Sequence, residues 1–210
     1  TSLNPDGSAS YSFYIDGTAD RLVDPPADLT TDIACFGTVS LALEPGASRY
    51  AALLKNLHRD GTFIALDPNI RPFYATKAHS DFLYSLLPSV DLLKLSDEEE
   101  EFLDQPEAPI KVITCGPDGL IVHFNGQTIE VTAPTIEVAD TIGAGDTVIG
   151  CLLAEIHRRT EGKNVRSKTM EFTGEDWAEI ASYAARAAAV TCTRVGANPP
   201  TQAEMEQLPE

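Results

Sequence analysis

The chain has 210 residues, 43% of them hydrophobic, and its 32 acidic against 15 basic residues give a formal charge of −17 at pH 7. That length suffices for one domain with a sizeable core, burying about 70% of its unfolded surface. The charge has the wrong sign for a partner made of nucleic-acid phosphates or an anionic membrane surface, so neither is expected.

In chain order, residues 11–15 read as a strand ended by the turn Asp16-Gly17, and residues 20–32, rich in Asp and Pro, as a connector. An apolar run at 33–39 precedes helical periodicity over 48–59, which Gly61 stops. Residues 63–66 read as a strand, 81–87 as a helix ended by Pro88, and 90–95 as a strand. A helix begins at Ser96-Asp-Glu-Glu99, and 111–115 is again a strand. Strand alternating with helix at this spacing predicts βαβ units and a mostly parallel α/β sheet flanked by helices.

After Gly116 the pattern changes. Residues 120–124 and 128–131 flank Asn125-Gly126, which suits the positive φ angles of a type I′ hairpin. Residues 135–138 read as one more short strand and 160–172 as a polar surface loop. Helices at 144–159 and 175–194 close the chain, with Thr173 as N-cap of the second; its Ala-rich stretch, 183–190, suits close packing on a sheet. No repeat divides the chain, and one domain is expected.

The cysteines, Cys35, Cys115, Cys151 and Cys192, are widely spaced and lack a CxxC pair or a His at zinc-ligand spacing. They read as small buried hydrophobes in a reducing cytoplasm. The polar start, TSLNPDGSAS, has no signal-peptide core, and no apolar run reaches the length of a membrane span. The absence of an initial Met fits either processing or a start inside a longer protein.

The most informative segment runs from Ala139 to Gly150, ADTIGAGDTVIG. Gly143, Ala144 and Gly145 are small enough for main-chain N–H groups to approach an anion, and an apolar helix follows at once. Asp146, in its first turn, is placed to take a proton from a hydroxyl nucleophile while those amides hold charge on a transferring phosphoryl group. A glycine turn followed by an Asp that merely suits the helix dipole is the plainer alternative.

Asp140-Thr-x-Gly-Ala-Gly-Asp146 resembles the C-terminal signature of the ribokinase-like (PfkB) carbohydrate kinases and lacks the Walker pattern of P-loop kinases. Four more segments agree in order: Asp67-Pro-Asn69-Ile-Arg71, Ser96-Asp-Glu-Glu99, Thr114-x-Gly116-x-x-Gly119 and Cys192-Thr-Arg-Val-Gly196-Ala197-Asn198. The second resembles the family's Asn-x-x-Glu element with Ser in place of Asn. The resemblance implies a ribokinase-like fold and ATP-dependent transfer of a phosphoryl group to a small sugar, most like fructokinase.

By the same resemblance, Asp146 is the general base and Gly143, Ala144 and Gly145 form the anion hole. Thr114, Gly116, Gly119, Gly196, Ala197 and Asn198 border the nucleotide. Asn69, Arg71 and Phe13 face substrate or phosphate. Glu99 helps organise Mg²⁺ through water, and Asp140 lies near a K⁺ site found in some members. Each has a local alternative: a solvated acidic helix start for Glu99, a surface ion pair for Arg71, a plain turn for residues 116–119, a helix stop at Gly196. Residues 1–20 resemble the end of a lid strand and 21–210 the kinase core. The family's Gly-Gly-Asn/Asp sugar-binding element does not occur in the chain, so an N-terminal region, with most of the lid, is expected to be missing. The readings carried forward are a fructokinase-like kinase, a 2-dehydro-3-deoxygluconate kinase, and a catalytically incompetent nucleotide-binding fragment or interaction module; a homodimer is the assembly entertained.

Overall fold

The structure, a computed structural model, describes residues 2–3, 9–10, 14–15, 17, 19, 21–26 and 28–207. Strands β1 (Ser2–Leu3) and β2 (Ala9–Ser10) form a small antiparallel ribbon. Of the strand expected at 11–15, residues 11–13 lie outside the described residues, and Tyr14 and Ile15 belong to no strand.

The remaining strands are β3 (Ile33–Gly37), β4 (Phe63–Asp67), β5 (Leu92–Ser96), β6 (Ile110–Thr114), β7 (Leu120–Phe124) and β8 (Gln127–Val131). They form one sheet in sequential order, parallel from β3 to β6 and antiparallel from β6 to β8. The β7–β8 hairpin turns at Asn125 and Gly126 with φ of 49° and 74°, as a type I′ turn requires.

Helices α1 (Gly46–Arg59), α2 (Lys77–Tyr84) and α3 (Asp97–Phe102) join the parallel strands; α4 (Ala144–Thr160), α5 (Val165–Thr169), α6 (Gly174–Cys192) and α7 (Gln202–Met205) follow the hairpin. Strand periodicity divides the core into two layers. Ile64 and Leu66 of β4, with Leu93 and Leu95 of β5, pack under α1 and α2 through Leu54, Leu57 and Leu83. Phe63, Ala65, Leu92, Ile110 and Val112 pack on the other face, against Val148, Leu152 and Ile156 of α4 and Trp177, Ile180 and Ala184 of α6. Strands covered on both faces read as continuous apolar runs, and β4 is buried at every residue. No described helix is long and apolar enough to cross a membrane.

Four expectations are corrected. Helix α2 begins at Lys77 rather than 81, because the Thr76 hydroxyl accepts a hydrogen bond from the His79 N–H and caps the helix there; it ends at Tyr84, before a 3-10 turn at Leu87–Ser89. Residues 135–138 form no strand; the chain leaves the sheet after β8, and the Ala139 N–H bonds to the Cys192 carbonyl at the end of α6. The stretch 160–172 contains α5, whose Val165 and Thr169 are buried. The four cysteines are free, but Cys35 is exposed on the edge strand and the others are half-buried, since flanking apolar residues alone do not fix which face a small side chain occupies.

Helix α5 explains a polar cluster at the opposite end of the sheet from the ADTIGAGD loop. Asp91, buried ahead of β5, accepts hydrogen bonds from the Ile64 N–H (2.9 Å) and from Arg166 Nε (2.7 Å), while Arg166 Nη2 lies 3.0 Å from His58 Nε2. Burial first, and then the Arg166 charge, push the His58 imidazole below its usual pKa, with Asp91 opposing; burial alone does the same to His79. A depressed histidine is neutral in the fold, so below about pH 6.5 the unfolded chain binds more protons than the native one and stability falls with pH. A His58→Gln/His79→Gln chain should therefore lose less melting temperature between about pH 7.5 and 5.5 than the parent, read by thermal melts at both pH values.

Candidate active site

The parallel strands end together at Gly37, Asp67, Ser96 and Thr114, and the crevice beyond such carboxyl ends is where open α/β sheets bind ligands. Three of these ends, Asp67, Ser96 and Thr114, carry a polar side chain. Asp67 closes β4 and is 4% exposed; Lys94, on β5, is 5% exposed, and its Nζ lies 3.2 Å from each Asp67 carboxylate oxygen. Burial raises the Asp67 carboxyl to about 6, with Lys94 pulling it down and Glu99 and Asp146 pushing it up. Cys35 is exposed at the sheet edge, and desolvation by the surrounding chain, with Asp67 and Asp146 adding to it and Lys94 opposing, lifts its thiol to about 12.

The chain after β4 turns sharply at Asn69, which adopts φ 46°. Two bonds hold this turn: Tyr74 donates its hydroxyl to the Asn69 carbonyl, and the Ile70 N–H donates to Glu99 Oε1. Glu99 Oε2 accepts the Ser96 N–H at 2.8 Å, while the Ser96 hydroxyl accepts the Glu99 N–H, a complete capping box on α3. Glu99 is buried, and it fastens the 67–71 loop to the start of α3. In the acidic run 97–101, Asp97, Glu98 and Glu101 are exposed, Glu99 turns inward, and the half-buried Glu100 pairs with Lys111 at 2.6 Å. Arg71 is half-buried in the same loop, and its charge acts on Tyr74.

The second half of the site is built around α4. Gly143 has φ 80°, and a Cβ there would stand 3.0 Å from the Ala197 Cβ, so glycine lets the 193–198 segment press against the turn. Asp140, 3% exposed, clasps the two together: its Oδ1 accepts the Ile142 N–H at 2.7 Å and its Oδ2 the Gly196 N–H at 2.6 Å. Thr147 Oγ1 donates to the Gly143 carbonyl and meets Thr191 Oγ1 at 2.9 Å, joining α4 to α6 below the turn. Asp146, in the first turn of α4, is exposed and follows the half-buried Gly143, Ala144 and Gly145.

Gly143, Ala144, Gly145, Asp146, Asp140, Gly196 and Ala197 are thus gathered at one helix terminus, and Asn69, Arg71 and Glu99 at the adjoining loop. Thr114, Gly116 and Gly119 form the turn after β6, where Thr114 Oγ1 donates to the Leu95 carbonyl at 3.3 Å and the Cys115 N–H to Gly119. Asn198 is exposed, and Phe13 lies outside the described residues. The sequence reading missed Lys94, which bridges the two halves: a Cβ at Gly145 would lie 3.0 Å from its Nζ. The signal was a lone lysine inside the apolar strand LLKLS, since a charge buried there demands a partner.

This arrangement has relatives. A profile of the pfkB family of carbohydrate kinases matches residues 30–204. A fructokinase of Rhizobium leguminosarum bv. trifolii is 33% identical over 170 residues, covering 71% of this chain and 52% of its own length. Probable fructokinase-5 of Arabidopsis thaliana is 27% identical over 98% of this chain and 68% of its own. The chain therefore spans half to two thirds of the length of these relatives. Among solved structures, fructokinase from Vibrio cholerae O395, with fructose, ADP and calcium ion bound, superposes with a TM-score of 0.78 at 21% identity, covering 97% of this chain and 70% of that one. Aminoimidazole riboside kinase from Salmonella enterica superposes with a TM-score of 0.69 at 19% identity, covering 84% and 62%. With the profile spanning most of the chain, and the five motifs falling at strand ends and helix termini of a matching fold, the protein belongs to the pfkB family of carbohydrate kinases.

Proposed function

We propose that the protein transfers the γ-phosphoryl group of ATP to a hydroxyl of a small sugar, with fructose as the first candidate. The observation that carries this is Asp146, an exposed carboxylate in the first turn of α4, next to three small residues at the positive end of that helix. The curated relatives that are fructokinases support the choice of sugar.

Asp146 takes the proton of the attacking hydroxyl, and the N–H groups of the Gly143–Gly145 turn hold charge on the phosphoryl group in flight. The Asp140 clasp and the Gly143–Ala197 contact keep this turn against the 196–198 segment, which borders the nucleotide with Thr114, Gly116 and Gly119. Arg71 meets phosphate oxygens or an anionic substrate group at the mouth of the 67–71 loop. General-base catalysis supplies about 10²–10⁴-fold, and holding the two reactants in line supplies a further ~7–11 kcal/mol of barrier lowering.

Among the described residues no cluster of His, Cys, Asp and Glu is built to cage a metal. Both Glu99 oxygens already hold backbone N–H groups, which fits a hydrated Mg²⁺ riding on the nucleotide phosphates and reached through water. Bound there, Mg²⁺ would neutralise charge on the β- and γ-phosphates. Asp140 likewise accepts a backbone N–H at each oxygen and so acts as a clasp, and each oxygen keeps a lone pair for a K⁺ ion beside it. The free cysteines suit a reducing cytoplasm.

A panel of hexoses and keto-sugar acids with ATP decides the substrate class. Turnover confined to a neutral sugar such as fructose supports the proposal. A preference for 2-dehydro-3-deoxygluconate replaces it with the sugar-acid kinase sharing the Asp-x-Asn-x-Arg pattern. That alternative needs an extra cationic or tyrosyl partner for the carboxylate beside Arg71, and the Tyr74 hydroxyl, which donates to the Asn69 carbonyl, is not that partner.

A further inference from the structure

Lys94 stands between Leu93 and Leu95 in a strand covered on both faces. Leu92 and Lys94 point toward α4 and α6, the neighbouring leucines toward α1 and α2. Desolvating two ions is costly, and a buried pair is often no more stable than apolar side chains of the same volume. Stability alone is thus a weak reason for the Lys94–Asp67 pair, and its position supplies a better one. The ammonium abuts the first turn of α4 at Gly145, one residue from Asp146. Outside α4 itself, Lys94 atoms are what comes within 4 Å of the point a Gly145 Cβ would occupy, so the pair turns its positive end to the helix terminus, with the same sign as the helix dipole.

We propose that Lys94 is a positioning residue for phosphoryl transfer: held in place by Asp67, its ammonium lies against the first turn of α4 and reinforces the positive field at the turn that receives the phosphoryl group. This rests on the sugar-kinase reading of the same site. It also adds to the reasons position 145 is glycine, because a Cβ there would stand 3.0 Å from the ammonium. Lys94 does not touch the reactants in this account. Its field acts on charge at the phosphoryl position, so it favours the phosphoryl group or its mimic there over ADP alone, which separates it from a residue that merely keeps the strand packed.

The test uses calorimetric binding of ADP, with magnesium and fructose, in the presence and absence of fluoroaluminate as a mimic of the phosphoryl group in flight. The variant is Asp67→Asn/Lys94→Met, which removes both charges at nearly constant volume and leaves no buried carboxylate without a cation. It should melt near the parent and bind ADP within about threefold, yet lose about tenfold or more of the extra affinity that fluoroaluminate confers, with kcat falling alongside and the sugar KM little changed. Full fluoroaluminate affinity and full kcat in this variant would overturn the role of Lys94 and leave the kinase reading standing. A parent protein that neither gains affinity with fluoroaluminate nor phosphorylates a sugar would remove the kinase reading and this proposal with it.

Discussion

Asp146→Asn is expected to lower kcat for sugar phosphorylation by about 10²–10⁴-fold, the range that a positioned general base supplies. The substitution keeps the shape of the side chain and its place in the first turn of α4, so the Gly143–Gly145 turn and the Asp140 clasp stay as they are. What is lost is the ability to accept a proton from the attacking hydroxyl. The KM values for sugar and ATP should change little, because the interaction removed is made in the transition state rather than with bound substrate. Stability should also change little: an exposed first-turn carboxylate contributes only about 0.3–1 kcal/mol through the helix dipole. A steady-state assay of ADP release, run beside a thermal melt, reads both quantities. A near-parental kcat would remove Asp146 from the reaction.

Asp140→Ala should instead act on the fold of the site. The carboxylate is buried and accepts two backbone N–H groups, from Ile142 ahead of α4 and from Gly196 beyond α6. Hydrogen bonds to a charged group contribute about 1.5–3 kcal/mol each, and removing the acceptor leaves two half-buried donors that water can partly reach, so a loss of about 1.5–3 kcal/mol is expected. Urea unfolding measures it, with the midpoint shifting at constant slope. Nucleotide affinity should fall as well, because the 196–198 segment is no longer tied to the glycine turn. Asp140→Asn, which retains one acceptor oxygen, should lose less on both counts. A loss below about 1 kcal/mol in the Ala variant would mean that the clasp is not what holds the two segments together.

Much of the architecture was legible in the sequence for identifiable reasons. The parallel strands are buried on both faces, so β4 and β5 stand out as short apolar runs, and the Asn125-Gly126 turn marks the hairpin. The start of α4 was legible, with Asp146 in its first turn, because Gly-Ala-Gly ahead of an apolar run marks a turn into a helix. The misses share a cause: tertiary contacts override local pattern. Residues 135–138 alternate like a strand, yet Ala139 bonds to the end of α6. Residues 160–172 look polar, yet α5 buries Val165 and Thr169 and sends Arg166 to Asp91. Glu99 was legible as an acid and not as a latch, because its partner Ile70 lies 29 residues away. Lys94 was missed because one lysine in a strand stands out only when the strand is known to be covered on both faces. The Asp67 that neutralises it is a further strand away.

The central claim is phosphoryl transfer from ATP to a sugar hydroxyl at the α4 terminus, and phosphorus NMR of the protein with ATP, magnesium and fructose tests it most directly. The account predicts growth of a sugar-phosphate resonance in step with ADP, abolished by Asp146→Asn. ATP left intact, or ADP and inorganic phosphate formed with no sugar phosphate, would contradict it.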